Sequence, residues 1–512
     1  MKDEKKTGTV KRINSATAFF QHIAMLKKRI NMQMEGKYSP SIISMLAAAF
    51  AALLILLMLF LPNYLGTADD GTLHRVMDGA GVSYLQGNSV ENSNEYFVKT
   101  YSNIVPFQQQ ADKMFNSQIV ILKAALWLDN LITGDHFFDI RFLALIYSVF
   151  YVPAIYLLIR QACLRVKTFS EGFSIGIIGV VIFTDVAYIT YFNSFYPEAV
   201  WFISLLYCLG AALSFQEDRS MGRDICYLTL LVAAGIVLTL SRWQCAFIGM
   251  VLMLLCLKLM FARKEWSWRV ICVLAGIVLS VISIAGMVEM ESDFSDASKF
   301  HAMTRGVLFG ADNPSEALKE FGIEPSYELL ADVSTYEEVP FVEAEVEALG
   351  KEFLDQYTMA DITWYYLRHP GKFLGMADIA IKSCFGIRRD FCGNYERSVG
   401  LPGGARSIFW SMWSTFKNNS APKTIGFLII LIGACCLLFG KGYSLNPEED
   451  RRNTVIMDGM AALLLICLGV AGITIVGSGD AEMVQHCFLI GCCMDLMTYF
   501  VLAEIVHRIN IF

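Results

Sequence analysis

Two adjacent carboxylates stand where the chain should leave a bilayer. The stretch LPNYLGTADDGTLHRVMDGAG, residues 61–81, follows about twenty apolar residues and carries Asp69 and Asp70, with His74 and Arg75 one helical turn further on. A carboxylate at such a point can cap a helix by accepting a backbone N–H, a task that aspartate performs well. It can also act as a general base toward an attacking hydroxyl. A cap at Asp70, for a helix opening at Gly71–Thr72, leaves Asp69 without a structural task.

Further acids and cations recur at other predicted outer turns. FTDVAYITYFNSFYPEAVWF sets Asp185 about seven residues before the outer end of one apolar run, and Glu198 at the start of the next. Ionisable groups near a membrane interior are costly, so they mark either function or a bond to a neighbouring helix. The tyrosines of that stretch, with Phe192 and Phe195, suit an interfacial aromatic belt. TLSRWQC puts Arg242 and Gln244 at an outer helix–helix tip. An arginine there either snorkels to headgroups or grips a phosphate with both arms of its fork. FGIRRDFCGNYERSVG supplies Arg388, Arg389 and Arg397, and GSGDAEMVQHCFLIGCCMDLM supplies Asp480, Glu482 and His486. Glu482 and His486, four apart, would share one helix face.

Gathered by a bundle, these residues would line a cleft of mixed charge that suits transfer from a phosphate-linked lipid donor. One carboxylate removes the proton of the acceptor hydroxyl, and cations stabilise the phosphate that leaves. Phosphate departs without protonation, so the second acid of a glycosidase pair is not required. The acids at 69, 185, 198 and 480 would also suit Mg²⁺ or Mn²⁺, although oxygen-ligand sites have no spacing signature. The motifs require no organic cofactor. Most of the fourteen cysteines lie inside apolar runs, where they pack as small hydrophobes. Cys384 and Cys392 fall in a predicted external loop, where a bridge between them is conceivable.

The elements that must position these groups are membrane helices. The 512 residues are 55% hydrophobic and 17% charged, with mean hydropathy +0.48, a balance typical of a polytopic membrane protein. The net charge of −7 hides a basic segment over residues 1–39 and an acidic concentration over 289–361. Ten runs are long enough to cross about 30 Å of hydrocarbon. They lie near 41–62, 138–160, 172–193, 197–216, 225–241, 243–261, 269–288, 423–440, 454–476 and 483–506. Lysine and arginine concentrate in alternate loops, which puts those loops and both termini in the cytoplasm. The first apolar run is too long for a signal peptide and reads as an anchor.

This organisation divides the chain into a basic segment (1–39), a first membrane module (40–288) with an external loop at 63–137, an external domain (289–422) and a second membrane module (423–512). Within the first external loop, NSQIVILKAALWLDNLITG reads as an interfacial helix. Ile119, Leu122 and Leu126 form its apolar side, and Lys123, Asp129 and Asn130 its wet side, since charges at a bilayer centre cost about 2.5–3.5 kcal/mol each. The external domain reads as mostly helical. Asn313, Pro314, Glu316 and Gly322 are start and stop signals, and Pro370 ends another helix. No internal repeat or strand-rich stretch is visible. The cytoplasmic loops are too short to fold a nucleotide-binding domain, and the chain has no phosphate-binding G-x-x-x-x-G-K-[ST] loop. Chemistry is therefore expected on the outer face, with a donor supplied by the membrane.

At this point the chain resembles the polytopic GT-C glycosyltransferases that use polyprenyl-phosphate sugars, and more narrowly the bacterial hexosyltransferases of cell-surface glycan assembly. The likeness covers most of residues 40–507. It rests on the order of TADDGTLHRVM, FDIRFLALIY, TDVAYITYFNSFYPE, LSRWQ, YLRHPGKFL, GNYERSVG and GDAEMVQH. It implies an all-α GT-C-like membrane fold in a bacterial plasma membrane, a lipid-linked sugar donor, a glycan acceptor and an acid of the first external loop as base. By position that acid is Asp69, with Asp70 as alternate, while Arg75, Arg242, Gln244, Arg397 and His486 would hold the donor. Two positions depart from the pattern: Ser241–Arg242 stands for Ser-Lys, and Gln485 for a lysine, which shifts phosphate binding toward Arg242 and Arg397. A ligase-type glycan transferase would use Arg368 and His369 instead. A lipid-linked sugar flippase would need a polar path through spans that are too apolar for one. No feature suggests a nucleic-acid partner.

The charge pattern makes the topology testable. A cysteine introduced near Pro447 should be labelled only from the cytoplasmic side, and labelling by an impermeant reagent on intact cells would reverse the topology.

Overall fold

The computed structural model describes residues 25, 28–29, 31–33, 39–69, 72–85, 95–103, 116–216, 220–292, 296–334, 349–389, 392–444, 451–481 and 483–509. Among these, eight helices are long and apolar enough to cross a membrane: Pro40–Phe60, Arg141–Ala162, Glu198–Gln216, Met221–Thr239, Trp243–Ala262, Trp266–Val288, Arg451–Ser478 and Phe488–Arg508. The count becomes nine if the bent pair Phe169–Phe183 and Val186–Asn193, which turns by 49°, is taken as one span. The fold is an all-α membrane bundle.

All ten predicted runs are helical, but two differ from an ordinary span. The run at 172–193 breaks at Thr184–Asp185. The run at 423–440 yields a helix of only 15 residues, Ile425–Phe439. The break has a local cause. Asp185 caps the second half by accepting the Ala187 N–H at 2.9 Å, and its other oxygen accepts the Ser414 N–H at 2.9 Å. Start signals act as read elsewhere. Ser39 accepts the Ile42 N–H at 3.3 Å with Pro40 in the first turn, and Asn313 accepts the Glu316 N–H ahead of Pro314–Glu320. The helix Met359–Arg368 stops before Pro370, which opens the next.

Several local expectations fail. The first-loop helix opens at His74 behind Leu73, with no side-chain cap, so it does not begin at Gly71–Thr72; Asp70 itself lies outside the described residues. In the helix Ser117–Thr133, Asp129 is buried rather than wet. It accepts the Asp139 N–H at 3.1 Å and a Thr133 hydroxyl hydrogen bond at 3.3 Å, so it anchors the following strand. The aromatics of 188–195 form no interfacial belt. Tyr188, Tyr191, Phe192 and Phe195 are fully buried, with Tyr188 stacked on Phe202 at 4.3 Å and Phe195 edge-on to Tyr101 at 4.8 Å. Cys384 and Cys392 are both buried free thiols; one ends the helix Pro370–Ser383 and the other lies in a strand.

That strand belongs to a feature too short for hydrophobic alternation to reveal. Leu65–Thr67 (β1) pairs antiparallel with Cys392–Tyr395 (β4), and Thr100–Ser102 (β2) with Phe137–Asp139 (β3). An isolated bridge between Phe97, ahead of β2, and Glu396, just past β4, links the two separate ribbons. A Cβ on Gly66 would collide with the Phe97 ring, which is why β1 has a glycine opposite Asn394. Gly66→Val should therefore lower the melting temperature of the purified chain, as overpacking costs about 1–3 kcal/mol. Pairing it with Phe97→Ala should recover part of the loss; an unchanged melting curve for the single variant would refute the close contact.

Candidate active site

The β1–β4 ribbon fixes where Asp69 sits. Two residues before it, the Thr67 hydroxyl donates to the Thr190 carbonyl at 3.3 Å, and the Asn193 amide donates to Leu65 O at 2.8 Å. The tip of the broken span therefore grips the strand from below. Tyr196 completes the grip by donating its hydroxyl to Ala68 O at 3.3 Å. Asp69 is 3% exposed and accepts the Tyr84 hydroxyl at 2.5 Å. The Tyr101 ring packs on Tyr84 at 5.5 Å, and burial together with the Asp69 charge pushes its hydroxyl pKa well above the phenolic value. Tyr101 thus stays a neutral wall beside the carboxylate.

A cationic group lies on the other side of Tyr196. The Arg389 guanidinium stacks over that ring at 5.2 Å and meets the buried Glu198 carboxylate at 3.4 Å. Glu198 opens the span after the broken one, so the turn 194–198 presents Tyr196 toward Asp69 and Glu198 toward Arg389. Beyond Arg389 stands His486, at the end of the short helix Met483–His486. Burial, then the charges of Arg242, Arg389 and His301, hold its pKa well below the usual imidazole value. His486 is a neutral ring at ordinary pH.

Gln244 sets the tautomer of that ring. Its amide nitrogen is hydrogen bonded to His486 Nδ1, so Nδ1 accepts and Nε2 carries the proton, an assignment that follows from the hydrogen-bond pattern. The turn carrying Arg242 and Gln244 is itself braced, since Trp201 Nε1 donates to the Ser241 hydroxyl at 2.9 Å and Ser117 N to Leu240 O at 3.0 Å. The Gln244 carbonyl oxygen and both polar atoms of the Asn394 amide are buried with no hydrogen-bond partner among the described residues. Buried polar atoms left open in this way can accept or donate to a bound water or a polar ligand.

The remaining candidates are dispersed. Asp480 is held by Arg305, with Nε to Oδ1 at 2.7 Å and Nη2 to Oδ2 at 3.0 Å, while Arg305 Nη1 donates to Asp332 O at 2.7 Å. Burial raises the Asp480 carboxyl pKa, and Arg305 opposes that rise. Asp185 is occupied at the break in its span. Arg388 donates to Cys392 O at 3.2 Å and to Ser407 O, bracing the ribbon. Arg397 is exposed and lies 6.0 Å from the Tyr96 ring. His369 pairs with Glu320 at 2.9 Å, and Arg368 stacks on Trp364 at 5.6 Å. The side chain of Arg75 and all of Glu482 lie outside the described residues. Among those described, no three His, Cys, Asp or Glu residues gather as a metal site. The acids at 69, 185, 198 and 480 occupy four separate settings.

Sequence reasoning missed Tyr84, Tyr101, Tyr196 and Arg305, and it gave Arg389 no role of its own. Arg305 left a signal, a lone cation in the uncharged run HAMTRGVLFGA. The tyrosines left none, because their relevance depends on which loop they meet.

The bundle and its polar rim define a polytopic integral membrane protein. A family model described as the YfdI N-terminal transmembrane domain matches residues 27–512, and the chain belongs to that family. Comparison with curated proteins and with solved structures found no match.

The Arg305–Asp480 pair should be structural. Asp480→Asn removes a charge-assisted pair and should cost about 1.5–3 kcal/mol, read as a lower melting temperature of the detergent-solubilised chain. A wild-type melting curve would assign Asp480 to some other task.

Proposed function

We propose that the chain is a membrane glycosyltransferase that moves a hexose from a polyprenyl-phosphate donor to a glycan acceptor at the outer face of a bacterial plasma membrane, with inversion at the sugar. One observation carries this reading. A buried carboxylate, Asp69, and a cationic group of Arg389, Arg242 and neutral His486 stand on either side of Tyr196 on one rim of the bundle. A general base and an oxyanion seat are the two devices that such a transfer needs.

In this mechanism Asp69 takes the proton of the acceptor hydroxyl as its oxygen attacks the anomeric carbon. The bond from that carbon to the phosphate oxygen breaks, and the electron pair leaves with the polyprenyl phosphate. Tyr84 fixes the carboxylate so that it need not reorient during the step. Arg242, Arg389 and the Nε2–H of His486 receive the developing phosphate charge. A ring held neutral suits this role, because it donates a hydrogen bond without becoming a competing acid. With Gln485 where the resembled hexosyltransferases would have a lysine, and Arg397 at the periphery, the phosphate falls to Arg242 and Arg389. The open amides of Gln244 and Asn394 suit the hydroxyls of a sugar. An apolar groove of about 440 Å³ between the first span and the broken span, bordered by Phe50, Phe173, Val180 and Trp410, suits the polyprenyl chain. Both termini are assigned to the cytoplasm, and the acceptor would be a glycan or lipid-linked glycan reached from outside. A divalent ion, if used, would have to be held largely by the substrate phosphate.

Asp69→Asn keeps size and hydrogen bonding but removes the basic electron pair, so transfer should fall by about 10²–10⁴, the usual worth of a general base. Asp70→Asn should be milder, and Tyr84→Phe should lie between Asp69→Asn and wild type. The assay is transfer of labelled sugar from polyprenyl-phosphate donor in membranes, with folded protein quantified in parallel. Near-normal turnover by Asp69→Asn would end the assignment and turn the test to Arg368 and His369.

A further inference from the structure

Residues 405–419 join the β4 ribbon to the short helix Ile425–Phe439, and the sequence puts them in the external domain. Their contacts lie deeper than that. The Trp410 ring packs edge-on against Phe50 at 5.4 Å. Phe50 stands ten residues before the outer end of the first span, about 15 Å along the axis at 1.5 Å per residue. Lys417 pairs with Asp495 at 2.8 Å, and the Trp413 indole N–H donates to the same carboxylate at 2.7 Å. Asp495 stands seven residues past Phe488, about 10 Å into the last span. The outer ends of these two spans face the same side, because one leads into β1 and the other follows His486, which bonds to Gln244.

The segment is also turned inside out. Ser407, Ser411, Ser414 and Lys417 are buried against the bundle, Ile408 is 86% exposed and Met412 53% exposed, and the exposed polar residues are Arg406 at the entry, Thr415, and Asn418, Asn419 and Ser420 at the exit. A helix on a water surface would show the reverse pattern. Non-helical backbone survives at membrane depth only where protein satisfies it, and here it does. Ser407 N donates to Gly393 O at 2.9 Å, Val186 N to Trp410 O at 3.0 Å, and Ser414 N to Asp185. The 15-residue helix that follows has the matching length. It covers about 22 Å of a hydrocarbon layer of about 30 Å. Near its inner end Arg508 donates to Leu438 O, which aligns that end with the inner end of the last span. The helix therefore starts near the level of Asp495, where Lys417 already lies.

We infer that residues 407–417 form an elbow sunk about 10 Å into the outer leaflet, with Ile408, Phe409, Met412 and Phe416 against phospholipid acyl chains and the exposed Arg406, Asn418, Asn419 and Ser420 rising toward the headgroups on either side of it. The elbow completes the span that Ile425–Phe439 begins too low, and it plugs the break at Thr184–Asp185. It gives the molecule a lipid-contact surface in a stretch that hydropathy assigns to water. This inference does not depend on the proposed reaction.

The test uses the full chain in phosphatidylethanolamine–phosphatidylglycerol vesicles. Cys226 and Cys436, the exposed thiols among the described residues, are replaced by serine. Ile408→Cys and Met412→Cys are then labelled with an environment-sensitive fluorophore. Ile430→Cys, on the lipid face of the short helix, and Ser326→Cys, on an exposed external turn, serve as references. The elbow labels should be quenched by lipids carrying a nitroxide midway along the acyl chain as strongly as the Ile430 label, and several-fold more than the Ser326 label. They should also resist aqueous iodide. Quenching by iodide to the level of Ser326 would overturn the inference. So would shielding from both quenchers, which would mean that a second copy or another protein covers the segment.

Discussion

A backbone N–H or C=O in hydrocarbon has no water to turn to, so a membrane helix can break only where another part of the chain takes over its bonds. In this protein the break at Thr184–Asp185 meets that condition with three partners. Asp185 caps the next turn, Ser414 N bonds the same carboxylate, and Trp410 donates its indole N–H to the Thr184 hydroxyl at 2.9 Å. Because the break is satisfied, the chain between 186 and 198 can fold back into the bundle rather than run straight to its surface. That detour delivers Thr190 and Asn193 under β1, Tyr196 beside Asp69, and Glu198 beneath Arg389. The polar rim depends on one well-served interruption of a helix.

Electrostatics then sorts the charged side chains into two kinds. Arg305–Asp480, Lys417–Asp495 and Arg452–Glu504 are close pairs at 2.7–2.9 Å whose atoms are already committed. Arg389–Glu198 is longer, at 3.4 Å, and the guanidinium also spreads over a tyrosine face. Burial, then Arg242 and Arg389, act on His486, and the imidazole stays neutral.

The broad architecture was legible because it follows from composition over long windows. Apolar runs of twenty residues leave few alternatives to membrane helices, and Asn313–Pro314 or Arg368–Pro370 punctuate a chain by backbone rules that need no tertiary context. The acid pair after the first span and the arginines of 388–397 were visible as unusual residues at membrane edges. What connects them was not visible. Strands of three or four residues are too short to show alternation, and Asp129 looked wet because its partner, the Asp139 N–H, is supplied by folding. The aromatic stretch 188–195 has the composition of an interfacial belt, yet only the bend in its helix decides that it is a core. Segment 405–419 hides its pattern for a related reason, since buried Ser407, Ser411, Ser414 and Lys417 and exposed Ile408 and Met412 average to the hydropathy of a loop.

The β1–β4 ribbon has a consequence in time. Its strands are separated by about 330 residues, and chains grow at about 5–20 residues per second. For roughly 15–65 seconds after β1 has been made, its partner strand does not yet exist. During that interval the first spans can enter the membrane, but the loop bearing Asp69 has no edge to pair with, and Arg389 has not been synthesised. The carboxylate and the cationic group come into being together, late, when the chain that will enclose them is nearly complete. A nascent or prematurely terminated chain thus carries the acid of the first loop without the surroundings that give it a direction.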